Sequence, residues 1–303
     1  MTQPKLATRF ILIEPSHAGN VGAVARALKV MGFADLVLVR PRWADVLQRP
    51  EALERASGAT DVLAAARVLG SLDEALSGIT HLCATAMTAR DFGPPTLAPR
   101  EHLSAWVRAL ADRWPVFNEA DDEVAKVQPR AWAEAAPAPF TAGIAFLFGP
   151  ERYGLSNADV YRCHASLRIP TAPGYGSLNL AAAVQLIAYE WRLALGGFDS
   201  VAQEPRAAPA PVPAPLLEAN SASPASPPRH TNEAPADAAA IAATLAHWQE
   251  ALVALEYLDP AAPKKLLPRL NQLLNRAQPT QAEIHILRGV ARAALRLAAR
   301  AKG

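Results

Sequence analysis

The chain has 303 residues, 51% of them hydrophobic and 19% charged, enough to bury a sizeable core in one or two domains. Thirty basic and 28 acidic side chains leave a net charge of +2, so overall charge names no partner. Two cysteines, Cys83 and Cys163, are too few for a disulfide scaffold and lack metal spacing, and neither a signal core nor a run of about 18 apolar residues occurs, which excludes a membrane-spanning, small secreted, collagen-like or wholly disordered chain. A cytoplasmic protein without a metal or a membrane partner is expected.

Short apolar runs at 10–13, 36–39, 81–85 and 144–148 predict strands, and 166–169 a further short one. Helical periodicity separates some of them. After Asn20, read as an N-cap, the apolar positions Val21, Val24, Ala25, Leu28 and Met31 follow spacings of three and four. Gly32 then ends that helix. Arg26 lies about 140° from Val21 on the helical wheel, off the apolar stripe. A second helix follows Asn179, with Leu180, Val184, Ile187, Ala188, Trp191 and Leu195 on one stripe. Alternating strands and helices predict an α/β domain with a mostly parallel sheet over 1–198. Residues 112–140 are rich in Pro and Ala and read as an insertion or mobile loop.

Composition shifts near Gly196. Residues 199–238 hold nine prolines among Ala, Ser and Glu, which predicts a semi-stiff, flexible linker without a core of its own. Beyond it only helical patterns remain, over about 239–257, 264–275 and 280–301. This 239–303 module carries nine basic against four acidic residues, a net of +5. Arg288, Arg292, Arg296 and Arg300 recur every fourth residue and form one cationic stripe. The expected fold is therefore an α/β domain with a small all-α C-terminal module.

Three loops follow strands and open helices. The first is Pro15-Ser16-His17-Ala18-Gly19-Asn20-Val21-Gly22, whose glycines permit close backbone approach and which is not a G-x-G-x-x-G dinucleotide fingerprint. The second is Gly149-Pro150-Glu151-Arg152-Tyr153-Gly154, directly after an apolar run, where open α/β sheets bind ligands. The third is Ile169 to Asn179, irregular through two prolines and two glycines, with Ser177 and Asn179 as candidate helix caps.

Together these stretches carry a resemblance. SHAGNVGAVARALKVMG (16–32), LFGPERYGLSNADV (147–160) and IPTAPGYGSLNLAAAVQLIAYE (169–190) resemble the SpoU/TrmH-type ribose methyltransferases of the SPOUT superfamily. KKLLPRLNQLLNRAQPTQAEIHILRG (264–289) is similar to the helical extension of the TrmJ tRNA methyltransferase group. The resemblance implies a parallel sheet with a C-terminal trefoil knot. No spacing shows a knot, and true knots are rare. It also implies a homodimer, S-adenosylmethionine as cofactor, and methylation of a tRNA ribose 2′-hydroxyl at nucleotide 32 of the anticodon loop. Ribosomal RNA methylation, or RNA binding without catalysis on the same fold, are the alternatives. The cofactor would touch Thr85, Ala86, Met87, Gly149, Ile169, Gly176, Ser177 and Leu178. Arg26 would be catalytic, either as a base or as an electrostatic stabiliser, with Asn20, Glu151, Ser177 and Asn179 shaping the site. Lys264, Lys265, Arg269, Arg288, Arg292 and Arg296 would bind RNA phosphates.

Overall fold

In a computed structural model of the chain, residues 6–113, 142–198, 235–262 and 265–301 are described. Seven parallel strands form one sheet in the order β3-β2-β1-β6-β4-β7-β5. In chain order they are β1 (Leu6–Ile13), β2 (Leu36–Val39), β3 (Arg67–Leu69), β4 (His81–Thr85), β5 (Thr96–Leu97), β6 (Ala142–Phe148) and β7 (Ala165–Leu167). The expected runs at 36–39 and 81–85 coincide with β2 and β4. β3 and β5 have no counterpart among the predicted strands. They hold three and two residues, and Arg67 and Val68 of edge strand β3 are exposed.

β6 is apolar throughout and buried at every position, as a strand covered on both faces must be. Its neighbours alternate. Phe10 and Leu12 of β1 face one layer, Ile11 and Ile13 the other. The first layer holds α1 (Ala18–Val30), α2 (Pro50–Ala56), α3 (Thr60–Ala65), α4 (Pro99–Arg113) and, after the intervening helix α5 (Asn157–Tyr161), α6 (Leu180–Ala194). The expected α1 stripe is buried in full, and so is that of α6 except Leu195, which caps the helix end. Trp191 is wholly buried against Phe146 and satisfies its indole N–H on Thr8 Oγ1 at 2.9 Å, the usual requirement for a buried tryptophan. Gly22 lets α1 and α2 touch backbone to backbone, because a Cβ there would run into the Ala52 carbonyl.

The second layer is formed by Leu72, Leu76, Ile79, Leu155, Val160 and Cys163, joined by Ala238. Ala238 opens α7 (Ala238–Ala254), which with α8 (Leu266–Ala277) and α9 (Gln281–Ala301) makes the C-terminal helical module. This module is seated on the sheet domain: Asp237 caps α7 and accepts from Gly78 N, and Ala238 N donates to Ile79 O at 2.7 Å. Pro235 forms an antiparallel bridge with Thr280, so 235–238 belong to the module's seat rather than to a free connector. The remainder of the expected linker, and the expected insertion beyond Arg113, lie outside the described residues. Among the described residues, no helix is long and apolar enough to cross a membrane.

Candidate active site

The three loops converge at the carboxyl ends of β1, β6 and β7. Glu151, just past β6, is the hub. Its Oε2 accepts from Ser16 N at 2.9 Å and Ser16 Oγ at 2.6 Å. Its Oε1 accepts from His17 N at 3.3 Å and Asn20 Nδ2 at 2.9 Å. Partial burial opposes ionisation, but the donors from Ser16 and Asn20 outweigh it and hold the carboxyl down at about 2. Asn20 is therefore not the N-cap expected from sequence. His17 occupies that position without a side-chain cap bond, and Asn20 sits inside the first turn, where its amide is free to reach Glu151. Its Oδ1 accepts from Asn179 Nδ2 at 3.1 Å, which ties the third loop to the other two. Asn179 does cap α6, accepting from Ala181 N at 2.9 Å.

A cleft of about 970 Å³ opens beside this network. Asn20, Glu151, Ser177, Leu178 and Asn179 line it, as do Trp43, Arg49, Arg55 and Tyr175, which sequence reasoning did not single out. The guanidinium groups of Arg42 and Arg49 lie 4.7 and 4.6 Å from the Trp43 ring. An aromatic beside arginines was the available signal, but nothing local placed 42–55 near the loops.

Thr85 ends β4, and Ala86 and Met87 follow it. Thr85 Oγ1 donates to Leu147 O at 2.8 Å, and Ala86 N to Leu167 O at 3.1 Å. Met87 reaches across to Gly176, where a Cβ would come within 2.6 Å of its Cε. Gly149 packs against the Gly154–Leu155 backbone with no room for a side chain. Ile169 is half-buried against the core. The backbone N–H groups of Gly176, Ser177 and Leu178 have no hydrogen-bond partner among the described residues. Open amides beside Met87, Ile169 and Leu178 suit a flat heterocycle with polar edges, the adenine of a nucleoside cofactor.

Arg26 stands apart. It is exposed on α1, one turn beyond the cleft-lining Ala23, and hydrogen-bonds to none of the described residues. The expected RNA-binding residues divide. Lys265 and Arg269 lie over the Phe92 ring at 3.8 and 5.0 Å. Arg292 and Arg296 are exposed on α9, and Arg288 is half-buried. Lys264 falls outside the described residues.

Away from the cleft, His81, Cys83 and His102 bring donor atoms within 4.8 Å of one another, the one such group with metal-ligand chemistry among the described residues. His81 and His102 hydrogen-bond to each other, Nε2 to Nε2 at 2.9 Å. Burial keeps His81 and His102 below the usual imidazole range. Burial, reinforced by His102, brings His164 to about 4.

Known proteins resemble this chain in sequence and fold. The profile of the SpoU rRNA Methylase family matches residues 7–189, and that of the C-terminal domain of tRNA methyltransferase TrmJ matches 239–303. The chain is 36% identical over 282 residues to the tRNA (cytidine/uridine/adenosine-2′-O-)-methyltransferase TrmJ of Pseudomonas aeruginosa, a span of 93% of this chain and 91% of that one. It is 33% identical over 285 residues to the tRNA (cytidine/uridine-2′-O-)-methyltransferase TrmJ of Cronobacter sakazakii, 93% of each. The crystal structure of TrmJ from Z. mobilis matches with a TM-score of 0.66 at 27% identity, over 95% of this chain and 98% of that one. The motif loops, the parallel sheet that gathers them and both profiles in chain order agree: the chain belongs to the SpoU methylase family and carries a TrmJ-type C-terminal domain.

Proposed function

We propose that the chain is an S-adenosylmethionine-dependent tRNA ribose 2′-O-methyltransferase acting in the anticodon loop, at nucleotide 32. The observation that carries this reading is the Ser16–Asn20–Glu151–Asn179 network, which locks the three motif loops into one wall of a cleft. The TrmJ-type match over 239–303 favours tRNA over ribosomal RNA. In this reading residues 1–198 form the methyltransferase domain, 239–303 the tRNA-binding extension seated through 235–238, and the stretch before that seat a linker. The family's trefoil knot involves the third loop, and a cytoplasmic location follows from the tRNA substrate.

Bound S-adenosylmethionine would supply a methyl group already activated on a sulfonium. Thr85, Ala86, Met87, Gly149, Ile169 and the open amides of 176–178 would hold it, and these residues fit an adenosine group. The protein then has to align the ribose hydroxyl and stabilise charge on its oxygen. Alignment of well-held reactants can supply roughly 7–11 kcal/mol. Arg26 is assigned to that oxygen and the neighbouring phosphate. A guanidinium, with a pKa above about 12, is a poor base in water but a good electrostatic stabiliser. Its distance from the network is accounted for by a homodimer in which Arg26 of one protomer completes its partner's cleft. The exposed apolar side chains Leu186, Tyr189 and Leu193 of α6, with Phe198 beyond it, support such an interface.

The test uses a full tRNA with one 2′-deoxy nucleotide at position 32. It is expected to bind and not to be methylated, because the 2′-hydroxyl is the acceptor. Exchanging the pyrimidine there changes the rate far less. Methyl transfer to the deoxy substrate at a normal rate makes a base atom the acceptor and overturns the reading.

A further inference from the structure

The connection between β4 and β5 carries Met87 at one end and Phe92 at the other. Phe92 has φ +61°, a left-handed backbone that a bulky side chain holds only when its surroundings impose it. The surroundings here belong to the C-terminal module. Gln272 of α8 donates from Nε2 to both the Phe92 and the Gly93 carbonyl oxygens. Arg269 and Lys265, one and two turns earlier on the same face, cover the Phe92 ring. Tyr161 OH donates to Asp91 O at 3.0 Å, and Tyr161 in turn gives its own carbonyl to Asn271 Nδ2. One turn on, Asn275 Nδ2 donates to Arg162 O at 3.2 Å and Cys163 O at 3.1 Å, beside β7. Asn271 and Asn275 are buried. The polar face of α8 is thus spent on carbonyl groups of the sheet domain, and Gln272 alone among its amides reaches the β4–β5 connection.

We propose that Gln272 is a positioning residue for the methyl donor: by fixing the Phe92–Gly93 backbone it holds the preceding Thr85–Met87 segment against Gly176. The module that carries the basic stripe thereby also sets donor affinity without touching the donor. The inference rests on the reading of residues 85–87 and 176–178 as the donor site. It also gives Lys265 and Arg269 a second duty. An RNA that draws them off Phe92 changes donor affinity, and by linkage the donor changes RNA affinity by the same factor.

The experiment uses the full chain and compares Gln272→Ala and Gln272→Glu with Asn275→Ala. Asn275→Ala loosens the same docking surface without touching residues 86–93. Calorimetry with S-adenosylmethionine in the absence of RNA gives the affinity, and steady-state assays with saturating tRNA give KM and kcat. Gln272→Ala is expected to raise Kd and donor KM by about fivefold or more, at the lower edge of common coupling strengths. Gln272→Glu raises them further, since a carboxylate faces two carbonyl oxygens. For Gln272→Ala, kcat at saturating donor stays within about twofold, and Asn275→Ala leaves donor Kd within about twofold, as for independent sites. Equal weakening by all three variants means α8 acts only by docking, and unchanged donor affinity in the Gln272 variants removes the residue from the donor site; either result overturns the proposal. A wild-type chain that binds no S-adenosylmethionine overturns the donor-site reading itself, and this inference with it.

Discussion

Glutamine at position 151 is the sharpest test of the loop network. The wild-type carboxylate takes four donations, and turning an amide either way would set its NH₂ against two of those donors. Holding the carboxyl at about 2 instead of 4.5 corresponds to about 3 kcal/mol in favour of the charged form. The side chain is 16% exposed, so solvent screening removes little of this. Glu151→Gln is expected to cost about 2 kcal/mol at pH 7, inside the range for hydrogen bonds to charged groups. The pH dependence separates this account from a packing defect. Above about 4.5, folded and unfolded wild type are both ionised and the whole difference is present. Below it the unfolded chain takes up a proton that the folded chain refuses, so wild-type stability falls by about 1.4 kcal/mol per pH unit toward 2. The variant has no such proton to bind, and every other group cancels in the difference. Urea titrations at pH 7 and pH 3.5 should therefore show the gap closing by about 1 kcal/mol. A gap that is constant with pH, or below about 0.5 kcal/mol at pH 7, where ordinary surface substitutions lie, refutes the reasoning.

Arg26→Ala should leave donor affinity and dimerisation nearly intact while lowering single-turnover methylation by at least about tenfold, or 1.4 kcal/mol of barrier; near-normal turnover removes Arg26 from the chemistry. Reversing charge with Arg292→Glu and Arg296→Glu should weaken tRNA binding on every sequence and flatten its salt dependence by about one unit of slope per lost phosphate contact, and an unchanged slope takes α9 out of the RNA interface. His81, His102 and His164 all titrate below the usual imidazole range, so their contribution is intact above about 6.5 and declines as pH falls below it; for His164 it is lost toward 4 and is at most about 3 kcal/mol. Denaturant midpoints across that window should fall steeply in the wild type and less in His164→Asn, whose Oδ1 can replace Nδ1 as acceptor for Leu82 N at 3.1 Å; parallel curves would exclude His164 as the source.

Sequence reasoning reached what is local. β2 is a short unbroken apolar run, β4 has an apolar centre at Leu82–Ala84, and α1 and α6 repeat at helical spacing, so pattern alone located them. Asn179 is read correctly as a cap because its role is completed within two residues, at Ala181 N. Asn20 is misread because α1 starts two residues before it, with His17 at the N-cap, and its amide serves a carboxylate 131 residues away that no local rule sees. Trp43, Arg49 and Arg55 escape notice for the same reason: their segment carries no loop signature, and only the packing of α1 on α2 at Gly22 swings it to the cleft. Lys265 and Arg269 are legible as cations, but their seat on Phe92 depends on how α8 docks.

The place of β6 in the sheet bears on how the chain acquires its shape during synthesis. β6 lies between β1 and β4, and Leu6 of β1 pairs with Ala142, so the middle of the sheet arrives last but one. β1, β2 and β3 can associate early, yet the inner edge of β1 stays unpaired until residue 148 has left the ribosome. Strand pairing over so many intervening residues is slow, because the loop must close before any contact rewards it. An apolar strand edge waiting for its partner is the kind of surface that nascent-chain chaperones bind and that aggregates when translation outruns folding. Slow codons or a pause just after β6, rather than between the earlier strands, would therefore be where the rate of translation most affects the yield of folded enzyme.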